Sequence, residues 1–299
     1  MGQRGPSWPS GGRAWHATCI RAPDGPETMS GYLETVGMSD AGAVRQFNED
    51  RIVVAPELGL MALADGMGGH RAGEVASHLA VEALVAHLRS RLPSLTVADR
   101  SSTPRMVLDE SIIQANRVVY DAGQRHVAHQ GMGTTLAAAL FFDNRVTLGH
   151  LGDSRVYRLR GQALELLTRD DSLLREEVDA GLIAAEEAAD SHNRSLITRA
   201  LGSAERVKPH LREVDALPGD LFLLCSDGLN DLVDDEDIEL ILASLWVNLP
   251  LAAELLVQAA KDRGGFDNVS VILVRVREAF PASRRRGLLG RVMRWLGWG

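Results

Sequence analysis

Apolar positions along this chain fall into two kinds of pattern: short β-rich runs broken by turn residues, and longer stretches that repeat every three to four residues. The runs 51–55 and 59–64 are separated by Pro56-Glu57-Leu58, which predicts a β-hairpin. Paired antiparallel, that hairpin sets positions 50 and 65 opposite one another at its outer end. Between 72 and 92, Val75, Leu79, Leu84, Val85 and Leu88 recur at helical spacing, and 106–126 repeats the pattern behind Pro104. Two amphipathic helices are expected there. Residues 134–142, 145–151 and 155–160 read as strands, joined by Asp143-Asn144 and by Gly152-Asp153-Ser154, and so predict a meander. The acidic, Ala-rich stretch 168–204 loses this pattern and predicts short helices inserted over a sheet. A strand at 220–225, helix over 234–263 and a closing strand at 269–276 follow.

Hairpins and helix pairs in alternating blocks predict an α+β fold with two antiparallel sheets face to face and helices on their outer sides. A doubly wound parallel sheet is the runner-up; against it, the strands follow one another through short turns rather than crossover helices. Acidic residues sit where the predicted strands end, in Asn48-Glu49-Asp50, Ala64-Asp65-Gly66-Met67-Gly68-Gly69, Gly152-Asp153-Ser154-Arg155, Ser226-Asp227-Gly228 and Asp267-Asn268. Singly, each reads as a turn or helix-cap residue. Together they predict one shared pocket, which the fold tolerates only if cations neutralise it. Oxygen ligands without Cys or His at ligand spacing point to Mg²⁺ or Mn²⁺ rather than zinc.

Composition narrows the partners. At 299 residues and 45% hydrophobic the chain can bury a full core, and its net charge of −8 argues against nucleic acid. Cys19 and Cys225 are the only cysteines, so no disulfide framework is implied and a reducing cytoplasm fits. Residues 1–30, rich in Gly and Pro, predict a disordered tail without a signal peptide.

In this order, the segments Arg45-Gln46-Phe47-Asn48-Glu49-Asp50, Leu63-Ala64-Asp65-Gly66-Met67-Gly68-Gly69-His70, Gly133-Thr134-Thr135, Gly152-Asp153-Ser154-Arg155, Cys225-Ser226-Asp227-Gly228 and Asp267-Asn268-Val269 resemble the bacterial form of the metal-dependent protein serine/threonine phosphatases of the protein phosphatase 2C (PPM) family. The resemblance runs from about residue 33 to 277. It implies a four-layer α-β-β-α sandwich over 31–278, with 168–204 as a flap, and two Mn²⁺ or Mg²⁺ ions with a third site beside them. It assigns Asp65 to both ions, the Gly66 carbonyl with Glu49 and Asp50 to one, and Asp227 with Asp267 to the other, some of these contacts running through water. A third site maps to Asp153, Ser195 and Asp227. Arg45 is the implied phosphate-binding residue. Two ions sharing a water lower its pKa towards roughly 7, which implies direct attack of a metal-bridging hydroxide on phosphorus without a phosphoenzyme. The general acid stays unassigned between His70 and water, because Met67 stands where eukaryotic relatives often carry a histidine.

The implied substrates are proteins phosphorylated by a bacterial Ser/Thr kinase, and a monomer is expected because no coiled-coil seam is evident. A cysteine-dependent phosphatase is excluded, since position 231, six after Cys225, is Asp231 rather than arginine. A zinc hydrolase lacks its histidine cluster. The rival from another class is a silent phosphatase-like domain that binds phosphoproteins. Residues 279–299 form a basic amphipathic tail, in which Leu289, Val292, Met293 and Leu296 make one stripe. They suit either an interfacial helix on an anionic membrane or an arm docked on the acidic body.

Overall fold

The computed structural model describes residues 31–68, 71–96, 103–183 and 196–280, with the side chains of 93–96 left aside. The expected hairpin forms as β2 (Asp50–Ala55) and β3 (Leu60–Met67), joined by one 3₁₀ turn that ends at Gly59 with φ 69°. Asp50 and Asp65 are paired across it, as the hairpin pattern requires. β3 pairs with β5 (Leu136–Phe142), β5 with β6 (Arg145–Leu151) and β6 with β9 (His210–Asp215), all antiparallel. The two-residue β4 (Gly133–Thr134) pairs antiparallel with the end of β3 just beyond Asp65, at Gly66 and Met67.

The second sheet runs β1 (Leu33–Asp40), β11 (Val269–Val276), β10 (Leu221–Cys225), β7 (Arg155–Arg160), β8 (Ala163–Leu166), also antiparallel. The meander expected over 134–160 is therefore broken. β6 belongs to the first sheet and β7 to the second, and the chain changes sheets at Gly152-Asp153-Ser154. Gly152 takes φ 96°, and a Cβ there would meet Thr135 at 2.7 Å, so the crossing is a tight passage that glycine permits.

Three apolar layers make this a four-layer α-β-β-α sandwich. Between the sheets lie Met61, Leu63, Phe141, Val156, Phe222, Ile272 and Val274, with Phe141 and Phe222 edge-on at 5.3 Å. Outside the first sheet pack α1 (Ala72–Thr96) and α2 (Pro104–Arg125), the latter capped by Thr103. Outside the second pack α5 (Asp235–Ser244) and α6 (Leu249–Asp262). The single helical stretch expected over 234–263 divides here because Pro250 cannot continue a helix, while the Asn248 side chain accepts from Leu251 N–H and starts a new one.

Within 168–204 the described part contains α3 (Leu173–Asp179). Residues 1–30 and 281–299, with His70 and Ser195, lie outside the described residues. Among the described residues, no helix is long and apolar enough to cross a membrane.

Phe222 is fully buried at the centre of the inter-sheet layer. Phe222→Ala is expected to cost roughly 3–5 kcal/mol through the cavity it leaves, read as a lower urea midpoint; an unchanged midpoint would contradict this account of the core.

Candidate metal centre

The acids gather where strand ends of the two sheets meet. Asp50 opens β2 and Asp65 lies near the end of β3, directly across from it. From the other sheet, Asp227 begins the short helix α4 (Asp227–Asn230) after β10, and Asp267 lies two residues before β11. Asp153 stands in the turn between the sheets. Asp50 and Asp153 are 8% and 6% exposed.

Backbone and hydroxyl groups fix this arrangement. Asp65 N–H donates to Thr135 Oγ1 at 3.0 Å, Thr134 Oγ1 donates to the Asp65 carbonyl at 2.8 Å, and the Thr135 and Ser154 hydroxyls meet at 2.7 Å. The Gly133-Thr134-Thr135 segment is thus the cradle of Asp65. Ser226 Oγ donates to Asp50 Oδ2 at 2.9 Å. Gly66 does not need a positive φ; it needs absence of bulk, since a Cβ there would stand 2.1 Å from the Gly73 carbonyl oxygen. That backbone contact brings the start of α1 against the end of β3. Beside it, Glu49 accepts a backbone hydrogen bond from Glu74, in the first turn of α1 where the helix dipole favours an anion.

Electrostatically the cluster is frustrated. Burial, then the charges of Asp50, Asp227 and Asp153, hold the Asp65 carboxyl well above the usual carboxylate range. Burial and Asp153 do the same to Asp227. Burial raises Asp50 to about 6 against the hydrogen bonds of Ser270 and Ser226, and burial with Asp170 raises Asp153 to about 7. One buried oxygen on each of Asp50, Asp153 and Asp227, the Oδ1 atom, has no hydrogen-bond partner. Unpartnered anionic oxygens in one buried cluster are what a hard divalent cation satisfies, so the donor set fits the expected ions. Among the described residues, no three His, Cys, Asp or Glu side chains already close on one point as a finished shell.

Arg45 and Asp267 stand at the rim. Arg45 Nη2 lies 2.7 Å from Asp267 Oδ2, and both side chains are substantially exposed. Glu49 is half-buried nearby, held by its N–H to Asn268 Oδ1 at 2.8 Å.

Sequence reasoning passed over three further participants. Asn268 is 4% exposed and its amide donates to the Ala41 and Phe47 carbonyls, lacing the Arg45 loop to Asp267. Asp231 lies one helical turn beyond Asp227, and its charge raises both Asp153 and Asp227; the i, i+4 spacing was the available signal. Asp171, 2% exposed, accepts from Gly152 N–H at 3.2 Å and meets His210 Nε2 at 2.9 Å, while its carbonyl accepts from Thr198 N–H. It fastens the Asp153 turn to both described legs of the 168–204 segment.

The comparisons with known proteins agree with this geometry. The model of protein phosphatase 2C matches residues 41–258. The chain belongs to the protein phosphatase 2C family. It is 42% identical over 245 residues to the serine/threonine protein phosphatase PstP of Mycobacterium tuberculosis, covering 82% of this chain and 45% of that one. The chain thus spans about half the length of this relative. To the protein phosphatase PhpP of Streptococcus pneumoniae it is 34% identical over 252 residues, covering 82% of this chain and 98% of that one. Among solved structures it superposes on M. tuberculosis PstP with a TM-score of 0.73 at 39% identity, and on the PstP catalytic domain in complex with two manganese ions with 0.70 at 39%. Each superposition covers 82% of this chain and 99% of the other. In this protein phosphatase 2C member, the paired Asp50 and Asp65 and the sheet-crossing Asp153 come from the same few strand ends.

The raised carboxyl pKa values have a stability consequence with a definite sign. A carboxyl held above its unfolded value binds more protons in the folded state, so folded stability is greatest at low pH and falls as pH rises. For Asp50 and Asp153 that window runs from the ordinary value of 3.8 up to about 6 and about 7. Chelator-treated protein should therefore lose melting temperature between those pH values. At pH 7.5 in chelator, Asp50→Asn should melt higher than wild type, by on the order of 1 kcal/mol or more in stability, and should gain less from added Mn²⁺. A chelated variant that melts lower than wild type would argue against carboxylate repulsion.

Proposed function

We propose that this chain is a metal-dependent protein serine/threonine phosphatase that hydrolyses phosphoserine and phosphothreonine in proteins. The observation that carries the proposal is the buried carboxylate cluster with its three unpartnered oxygens, opening at a rim that holds an exposed arginine. In this reading Asp65 serves two ions, Gly66, Glu49 and Asp50 one of them, Asp227 and Asp267 the other, and Asp153, Ser195 and Asp227 a third. When bound, Mn²⁺ or Mg²⁺ ions supply a water acidic enough to attack at neutral pH and neutralise charge on the phosphoryl oxygens.

The chain's own residues do the rest. The Thr134–Thr135 cradle and Ser226 hold the carboxylates in place before substrate arrives, so no reorganisation is needed at the moment of reaction. Arg45 presents a planar fork that can take two phosphoryl oxygens as charge builds on them. Asp267 beside it keeps the guanidinium charged and raises its pKa. No cysteine nucleophile competes: Cys225 is fully buried and its thiol is pushed up to about 12 by burial. The silent-domain alternative requires the loss of a metal acid or of the phosphate arginine, and Glu49, Asp50, Asp65, Asp153, Asp227, Asp267 and Arg45 are all retained.

In this proposal residues 31–278 are the catalytic unit, with 168–204 as a flap over the site. The substrates are proteins phosphorylated by a bacterial Ser/Thr kinase, and the protein works as a cytoplasmic monomer. Phe280 is pinned by Asn144, its N–H to Asn144 Oδ1 at 2.6 Å, at the end of β5 and β6 away from the acids. Phe280 thus lies clear of the site, and in this proposal the arginines that follow it in sequence touch the inner face of an anionic membrane. Vesicle flotation tests this: intact protein should float with anionic lipid and a 1–280 truncation should not, and identical behaviour would remove the membrane role.

Phosphate release from a phosphothreonine peptide should vanish with EDTA and return with Mn²⁺ or Mg²⁺, and Asp65→Asn and Asp227→Asn should abolish it. Arg45→Ala should lower kcat/KM by roughly 10- to 100-fold, the worth of charged hydrogen bonds to phosphate, and Arg45→Lys should recover part of that. Equal turnover in wild type and both aspartate variants would overturn the metal assignment.

A further inference from the structure

The loop that carries Arg45 and the loop that carries Asp267 are laced side by side. Ala43 N–H donates to the Gly265 carbonyl at 2.8 Å, Arg45 pairs with Asp267 at 2.7 Å, and the Asn268 amide donates to the Phe47 carbonyl at 2.9 Å. Gly42, with φ 77°, lies so close that a Cβ would stand 2.1 Å from the Asp267 carbonyl oxygen. Val44 and Phe266 each lie, along their own loops, between the contacts at 43–265 and at 45–267.

Both are open to solvent, Val44 at 61% and Phe266 at 63% exposure, and Phe47 follows at 46%. Phe266 is not a loose side chain: its ring lies over Gly264, where a Cβ would come within 2.5 Å of two ring carbons. Phe47 carries the Arg71 guanidinium 4.3 Å from its ring centroid. Of the six phenylalanines, Phe141, Phe222 and Phe280 fill the core between the sheets, so the fold has interior places for this side chain. The two that remain most exposed, Phe47 and Phe266, belong to the two laced loops that carry Arg45 and Asp267.

We propose that Val44, Phe266 and Phe47 form a docking rim for the substrate polypeptide, and that the preferred substrate carries a large apolar side chain one or two residues from the phosphorylated serine or threonine. The proposal rests on the phosphatase reading, because it is Arg45 that fixes where the phosphate sits. An extended peptide advances about 3.3 Å per residue, so with its phosphate on Arg45 the side chains one or two residues away come within reach of the loops that carry Val44 and Phe266. Burying an apolar side chain there removes water from both partners, and the rings are already held, so little side-chain freedom is lost.

The test uses the whole protein with Mn²⁺ and three substrates: 4-nitrophenyl phosphate, a phosphothreonine peptide with leucine at the two positions on each side, and the same peptide with serine there. Wild type should favour the leucine peptide by about tenfold in kcat/KM, chiefly through KM. Val44→Ser combined with Phe266→Ser should erase that preference and leave aryl phosphate turnover within about twofold, whereas Phe266→Leu should retain the preference. Equal use of the two peptides by wild type, or a preference that survives in the double variant, would overturn the docking rim. So would a patch that only pairs two copies, seen as a concentration-dependent mass that the double variant abolishes without any peptide preference. A folded, metal-loaded wild type that fails on 4-nitrophenyl phosphate would instead remove the phosphatase reading, and the docking rim with it.

Discussion

Burial of carboxylates is the constraint around which the site is built. Asp50, Asp65, Asp153 and Asp227 are drawn from both sheets into a place where loss of hydration disfavours the ionised form of each, and at Asp65 the charges of the other three add to it. Hydrophobic burial in three apolar layers supplies the stability that tolerates this. A cation recovers what the apolar core cannot, since without one a buried carboxylate is relieved only by binding a proton. The frustration of the metal-free fold and its affinity for hard ions are thus one property seen twice.

Sheet architecture explains why so many acids can converge without a dedicated loop. Two face-to-face antiparallel sheets bring several strand ends to one edge, and each end offers a residue that has left the ladder but is still held by it. Asp50 and Asp65 share a pairing position, so their separation is fixed by the ladder rather than by side-chain choice. The crossing at Gly152-Asp153-Ser154 adds an acid from the only direct step between β6 and β7. Small residues make the approach close enough: Gly66 against Gly73, and Gly152 against Thr135, leave no room for a Cβ.

What the sequence revealed and what it hid divide along physical lines. The Asp50–Asp65 meeting was legible because a hairpin with a short apolar period admits one register. The sheets-and-helices plan was legible for the same reason, long runs with clear periodicity. The change of sheet after Leu151 was not, since a tight turn within a sheet and a tight turn between sheets have the same local composition. β1, β8 and β9 escaped notice because Leu33–Asp40, Ala163–Leu166 and His210–Asp215 mix charge into short runs, as edge strands often do. Asn268 read as part of a motif, yet its work of tying residues 41, 47 and 49 together depends on neighbours more than two hundred positions away.

Arg45 connects the buried and exposed halves of the site. Its partner Asp267 is shared with the carboxylate cluster, because the Asp267 charge raises both Asp50 and Asp227. The arginine therefore sits at the boundary where the field of the acids gives way to solvent, and an incoming phosphate, itself anionic, meets its first positive charge there. Beyond that boundary the loops expose apolar side chains, at Val44, Phe266 and Phe47. In the proposed function, chemistry and selection are neighbours: the strand ends hold the metal acids, and the laced loops 41–49 and 263–268 add Arg45 for the phosphate and exposed apolar side chains for the polypeptide. Coupling between the two runs through Asn268, whose amide oxygen accepts from Glu49 N–H while its amide nitrogen donates to the Ala41 and Phe47 carbonyls, so one side chain keeps the exposed loop in register with Glu49.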